Sequence, residues 1–132
     1  MRVILAVLFL LGISAFPDCA IAKAKAGGSP PVVIAHCKGA DDCEVKWGRA
    51  LVWANTHVSY PIARATRNLI QSSGPAKYST HPSISIAKTR NPDGSYSFVL
   101  QAFCSNLFGC SPDLPELRAD FAAFVEGGFE GP

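Results

Sequence analysis

The residues of this chain with chemistry to offer are three histidines, a short acidic run, one serine in a G-C-S-P turn, and the cysteines. His36, His57 and His81 are scattered, and no C-x2-C or H-x3-H pair is present to set a tetrahedral metal site. His36 stands beside Cys37, but adjacent residues of an extended stretch point to opposite sides, so no metal ligand and no cofactor are expected. Ser111 or His57 could serve a hydrolase, yet there is no G-x-S-x-G and the serine has no evident base. Asp41, Asp42 and Glu44 offer paired carboxylates for acid/base work. Their D-x-x-E spacing is also that of a capping box, which accounts for them without catalysis. The expectation is a protein without enzymatic activity.

Cys37, Cys43, Cys104 and Cys110 fall in two runs of identical spacing, C-K-G-A-D-D-C and C-S-N-L-F-G-C. In an oxidising compartment such a set reads as two disulfides, for which four cysteines permit three connectivities. The repeated spacing favours the local pairs Cys37–Cys43 and Cys104–Cys110. Bridges across such short loops stabilise by ~2 kcal/mol each, whereas crossed pairs joining the chain ends would constrain the unfolded chain more.

The compartment is written in the first residues. Arg2 precedes an apolar run from Val3 to Ile13, and a short segment then ends in Ala20-Ile21-Ala22. A charged start, an apolar core too short to span a bilayer and an A-x-A site are the pattern of a signal peptide over 1–22. Cys19 offers the alternative of a lipid anchor, but Pro17-Asp18 fits poorly with the small residues that lipoprotein processing requires. The protein is therefore expected to be exported, periplasmic or secreted, to start at Lys23, and to keep no transmembrane span. Arg2 and Asp18 leave together, so the formal charge stays at +2. That weak excess, with no basic run, gives no footprint for nucleic acid.

The elements that must position these residues follow from periodicity. Residues 23–31, K-A-K-A-G-G-S-P-P, read as a flexible leader, 32–128 as one domain and 129–132 as a tail. Val32-Val33-Ile34 is an edge strand or an apolar plug. A first helix opens at Asp41 and carries Cys43, Trp47, Ala50, Leu51, Ala54 and Val58 on its core face, with Val45, Arg49, Val52 and Trp53 behind. Pro61 stops it. Ile62 to Ser73 is a strand, or a strand preceded by an irregular turn. Ser83 to Cys104 is a hairpin, because two alternating runs flank Asn91-Pro92-Asp93-Gly94, in which Pro92 presets φ and Gly94 accepts a positive one. Asp113 and Glu116 then cap a last helix with Leu114, Leu117, Phe121, Phe124 and Val125 at helical spacing, stopped by Gly127-Gly128. The fold class is α+β: a small antiparallel sheet of about three strands, two helices packed on one face, order α-β-β-β-α, and two disulfides. Trp47, Leu51, Phe98, Leu100, Phe121 and Phe124 would make its core. The other sheet face, with Ser85, Ala87, Thr89, Ser97, Val99, Gln101 and Phe103, is mild enough to meet water.

The segments C-E-V-K-W-G-R-A and G-S-Y-S-F-V-L-Q-A-F-C-S-N-L-F-G-C-S-P, with the Phe-rich helix after them, resemble a group of small exported or lipid-anchored proteobacterial envelope proteins with two C-x5-C pairs. The resemblance covers most of the chain after the leader. It implies a single envelope domain and carries no catalytic residue across. The function expected is a non-catalytic binding or inhibitor module of the bacterial envelope with a protein partner. The alternatives are an accessory lipoprotein of an outer-membrane or secretion assembly and a small envelope hydrolase using Ser111 or His57. The expected contact surfaces are the Val45, Arg49, Val52 and Trp53 back of the first helix and the tip of the second cysteine loop, Leu107 and Phe108. Trp53 either faces a partner or tucks under the segment after Tyr60-Pro61; Phe108 either faces a partner or folds back into the core.

Overall fold

The computed structural model describes residues 31–127. The signal peptide over 1–22, the Cys19 anchor, nearly all of the 23–31 leader, Gly128 and the 129–132 tail lie outside the described residues. The elements run β1 (Val32–Cys37), α1 (Gly39–His57), β2 (Ile62–Ala65), β3 (Leu69–Ser72), β4 (Ser83–Arg90), β5 (Tyr96–Phe103) and α2 (Leu114–Glu126). The strands form one sheet in the order β1-β5-β4-β3-β2, antiparallel at every step. The fold is α+β as expected, but the sheet has five strands instead of about three.

Two expectations account for the difference. Val32-Val33-Ile34 belongs to an edge strand, β1, that pairs with β5 from Val32 opposite Leu100 to Cys37 opposite Tyr96. The Ile62–Ser73 segment is two strands, not one. Its reversal has no glycine or proline; the Thr66 side chain builds it instead. Thr66 Oγ1 accepts from the backbone N–H of Asn68 and Leu69, at 3.3 and 3.0 Å, while the Thr66 N–H donates to the Leu69 carbonyl.

The central hairpin forms about the expected turn. Ile84 faces Ala102 and Ile86 faces Leu100 on the buried side. Gly94 has φ of +86°, and its N–H donates to the Asn91 carbonyl at 3.0 Å. On the opposite side Ser85, Ala87, Val99 and Phe103 are half-buried, Thr89 and Gln101 are exposed, and Ser97 is buried.

Both helices send their buried residues into one cluster with the Ile84, Ile86, Phe98 and Leu100 side of the sheet. β1 and β2 are opposite edges, so α1 must carry the chain across the sheet; its 19 residues span about 28 Å, enough for that crossing. α1 starts two residues before the expected Asp41. Its N-cap is Lys38, whose side chain makes no cap bond, and whose N–H donates to Asp42 Oδ2 at 2.8 Å. The second cap is as expected: Asp113 Oδ1 accepts from the Glu116 N–H at 2.8 Å, and Gly127 ends α2 with φ of +107°.

The core face of α1 is rotated from the expected one. Cys43, Ala50, Trp53 and Ala54 are buried, while Trp47 and Leu51 are half-buried at its margin. The reason is α2, which lies against the side of α1 taken to be its back. Lys46 links the parts around it, donating to the His36 carbonyl and Glu126, both at 2.8 Å, with Asp42 at 3.7 Å. The disulfides are the local pairs, with Cα separations of 4.9 Å for Cys37–Cys43 and 5.7 Å for Cys104–Cys110.

Candidate functional site

The second disulfide loop is fastened at several points below its tip. Asn106 Nδ2 donates to the Ser79 and Gly109 carbonyls, at 2.7 and 2.9 Å, and its Oδ1 accepts from the Phe108 and Gly109 N–H groups, at 2.7 and 2.8 Å. One side chain thus satisfies the turn from inside and ties it to the 76–80 segment. The Ser111 N–H adds a bond to the Thr80 carbonyl at 2.9 Å. Above this base Leu107 is 100 % exposed and Phe108 96 % exposed, and Tyr78, on the fastened segment, is exposed as well. Phe108 therefore does not fold back into the core. A loop that is already ordered loses little entropy when its side chains enter a partner, and burying both would contribute roughly 2 kcal/mol each.

The other expected surface is divided by the structure. Val45 and Val52 are about half exposed. Val52, Gly48, Phe124 and His57 line an open, mainly apolar groove of about 550 Å3 between the helices. Trp53 does not belong to this surface. It is fully buried, covered by α2 and not by the segment after Tyr60-Pro61, with its ring edge-on to Phe121 at 4.9 Å and stacked on His57 at 5.6 Å. Arg49 also lines the groove, half-buried, and its guanidinium donates to the Val125 carbonyl at 3.2 Å near the end of α2.

His57 lies in an arrangement with triad-like order. Its Nδ1 is 2.8 Å from Thr56 Oγ1, and its Nε2 is 3.7 Å from Asp120 Oδ2. The connections run the wrong way for catalysis. The Thr56 hydroxyl donates to the Val52 carbonyl one turn back, at 2.9 Å, and Asp120 Oδ2 is held by the Trp53 indole N–H at 2.6 Å. Ser111 Oγ has no histidine partner among the described residues. No group of three possible metal ligands stands together among those residues either. No helix there is long and apolar enough to cross a membrane.

Of the two expected contact surfaces, the loop tip is the one whose named side chains all stand exposed. What sequence reasoning missed is the role of Asn106, whose four hydrogen bonds make the tip a fixed shape; an asparagine between two cysteines, with a glycine three residues on, was the available signal. Comparison of the chain with family models, with curated proteins and with solved structures gives no match.

Proposed function

We propose that this protein is an exported, non-catalytic binding module of the bacterial envelope, which engages a protein partner through Leu107 and Phe108. The observation that carries the reading is the pairing of two almost fully exposed apolar side chains with a loop backbone fastened by Asn106 and the Cys104–Cys110 bridge. Large apolar residues on a rigid protrusion are anchors suited to an apolar pocket in another protein. The two disulfides support an oxidising compartment, and the signal-peptide pattern of 1–22 supports export.

The test is a photo-cross-linking amino acid placed at Phe108 and, as a control, at exposed Thr89, in the protein expressed in its envelope. The expected result is one discrete protein adduct from position 108 and none from position 89. The same adducts from both positions, or none from 108, would overturn the reading.

A further inference from the structure

The β4–β5 hairpin has two ends, and the loop uses only one. Ser83 pairs with Phe103 at the loop end, while Arg90 pairs with Tyr96 at the other. By strand rise these ends are about 23 Å apart. At the Arg90–Tyr96 end lies an open cleft of about 690 Å3, lined by Glu44, Trp47, Arg67, Lys88 and Tyr96 among others.

Lys88 stands directly opposite Phe98, on the sheet face that holds Ile84 and Ile86 further along, so its stem leaves an apolar surface and its ammonium reaches into the cleft wall. Its Nζ is 5.0 Å from the centre of the Trp47 ring and 5.7 Å from that of Tyr96. Trp47 is held in turn. Its indole N–H donates to the Thr66 carbonyl at 3.1 Å, which brings the β2–β3 turn and Arg67 beside it, and its ring meets Phe98 edge-on at 5.3 Å. Neither Lys88 nor Arg67 has an ion pair among the described residues. The aromatic rings orient the ammonium without neutralising it.

We propose that this cleft binds an acidic sugar unit, a uronate-type ring with one carboxylate and several hydroxyls. The carboxylate receives charge-assisted hydrogen bonds from Lys88 and Arg67. Glu44, in the same lining, accepts from hydroxyl groups, and Tyr96 and Trp47 supply apolar surface for the C–H groups of the ring. Glu44 also sets the charge of the ligand, since its carboxylate repels the second charge of a phosphate. This site is separate from the loop and does not rest on its role.

The test is calorimetric titration of the oxidised protein with a galacturonate trimer, its methyl ester, adenosine monophosphate and inorganic phosphate. Saturable binding of the trimer is expected, with the ester, which has lost only the charge, and both phosphates at least about tenfold weaker. Lys88→Gln and Arg67→Gln should each weaken the trimer by about tenfold. Arg67 is exposed, so its variant tests the charge without disturbing the core. No binding of the trimer, equal binding of the ester, tighter binding of either phosphate, or indifference to both substitutions would each overturn the proposal.

Discussion

Trp53 and Asp120, 67 residues apart, are joined by a 2.6 Å hydrogen bond from the indole N–H to Oδ2, and this bond ties α1 to α2. The indole is the largest fully buried side chain, and its N–H finds a partner that is itself half in water. Trp53→Ala should therefore lower unfolding free energy by about 3–5 kcal/mol, through lost burial and the cavity left behind. Trp53→Phe keeps most of the ring contact with Phe121 and should cost only about 1–2 kcal/mol. Urea denaturation followed by circular dichroism would read both. Equal costs would mean that the hydrogen bond, and not the packing, holds the helices together.

The two disulfides have the same loop length but should have different consequences. Replacing either pair with serines should cost ~2 kcal/mol by the loop-closure argument. Only Cys104→Ser with Cys110→Ser should weaken the cross-link at position 108, because only that bridge closes the Asn106 turn. The Cys37–Cys43 pair, at the junction of β1 and α1, should leave the adduct unchanged.

Gly74 is required for two reasons at once. Its φ is +84°, and a Cβ there would stand 3.0 Å from the Tyr60 ring, whose hydroxyl accepts from the Ala76 N–H at 2.9 Å. Gly74→Ala should destabilise by roughly 1–2 kcal/mol from backbone strain, with the Tyr60 contact adding to it. A Tyr60→Ala background should remove the contact part and leave the strain, which a comparison of denaturation midpoints would show.

Asp93 predicts a pH effect at the hairpin turn. The Ser95 hydroxyl and then its backbone N–H, at 2.6 and 2.9 Å, hold the Asp93 carboxyl below the usual aspartate range. Since the folded value is the lower one, this contribution is complete above the unfolded value and is lost as pH falls through the folded one. In Ser95→Ala the Asp93 midpoint should rise toward the ordinary range when followed by carboxyl NMR. An unchanged midpoint would show that the hydroxyl is not its cause.

Local signals made the hairpin, the Asp113 cap and the Gly127 stop legible, because each depends on residues within a few positions of one another. The β2–β3 reversal escaped because a threonine hydroxyl does there what glycine or proline does elsewhere. The start of α1 escaped because its N-cap is Lys38, a residue type with no capping signature. Trp53 shows the deeper limit. Which flank of α1 is buried depends on where α2 settles, and no periodicity within α1 records that. The cleft around Lys88 was illegible for the same reason, since Trp47, Arg67 and Tyr96 converge only through the sheet order. The exposed tip at Leu107 and Phe108 was legible because a turn between two close cysteines is local.

The most direct test of the loop as the contact element compares the wild-type protein with a Leu107→Ala, Phe108→Ala double variant in affinity capture from cross-linked envelope extract. Both side chains are exposed, so the variant should unfold within about 0.5 kcal/mol of the wild type. The account predicts one specific protein captured by the wild type and lost by the variant. The same protein captured equally by both would contradict it.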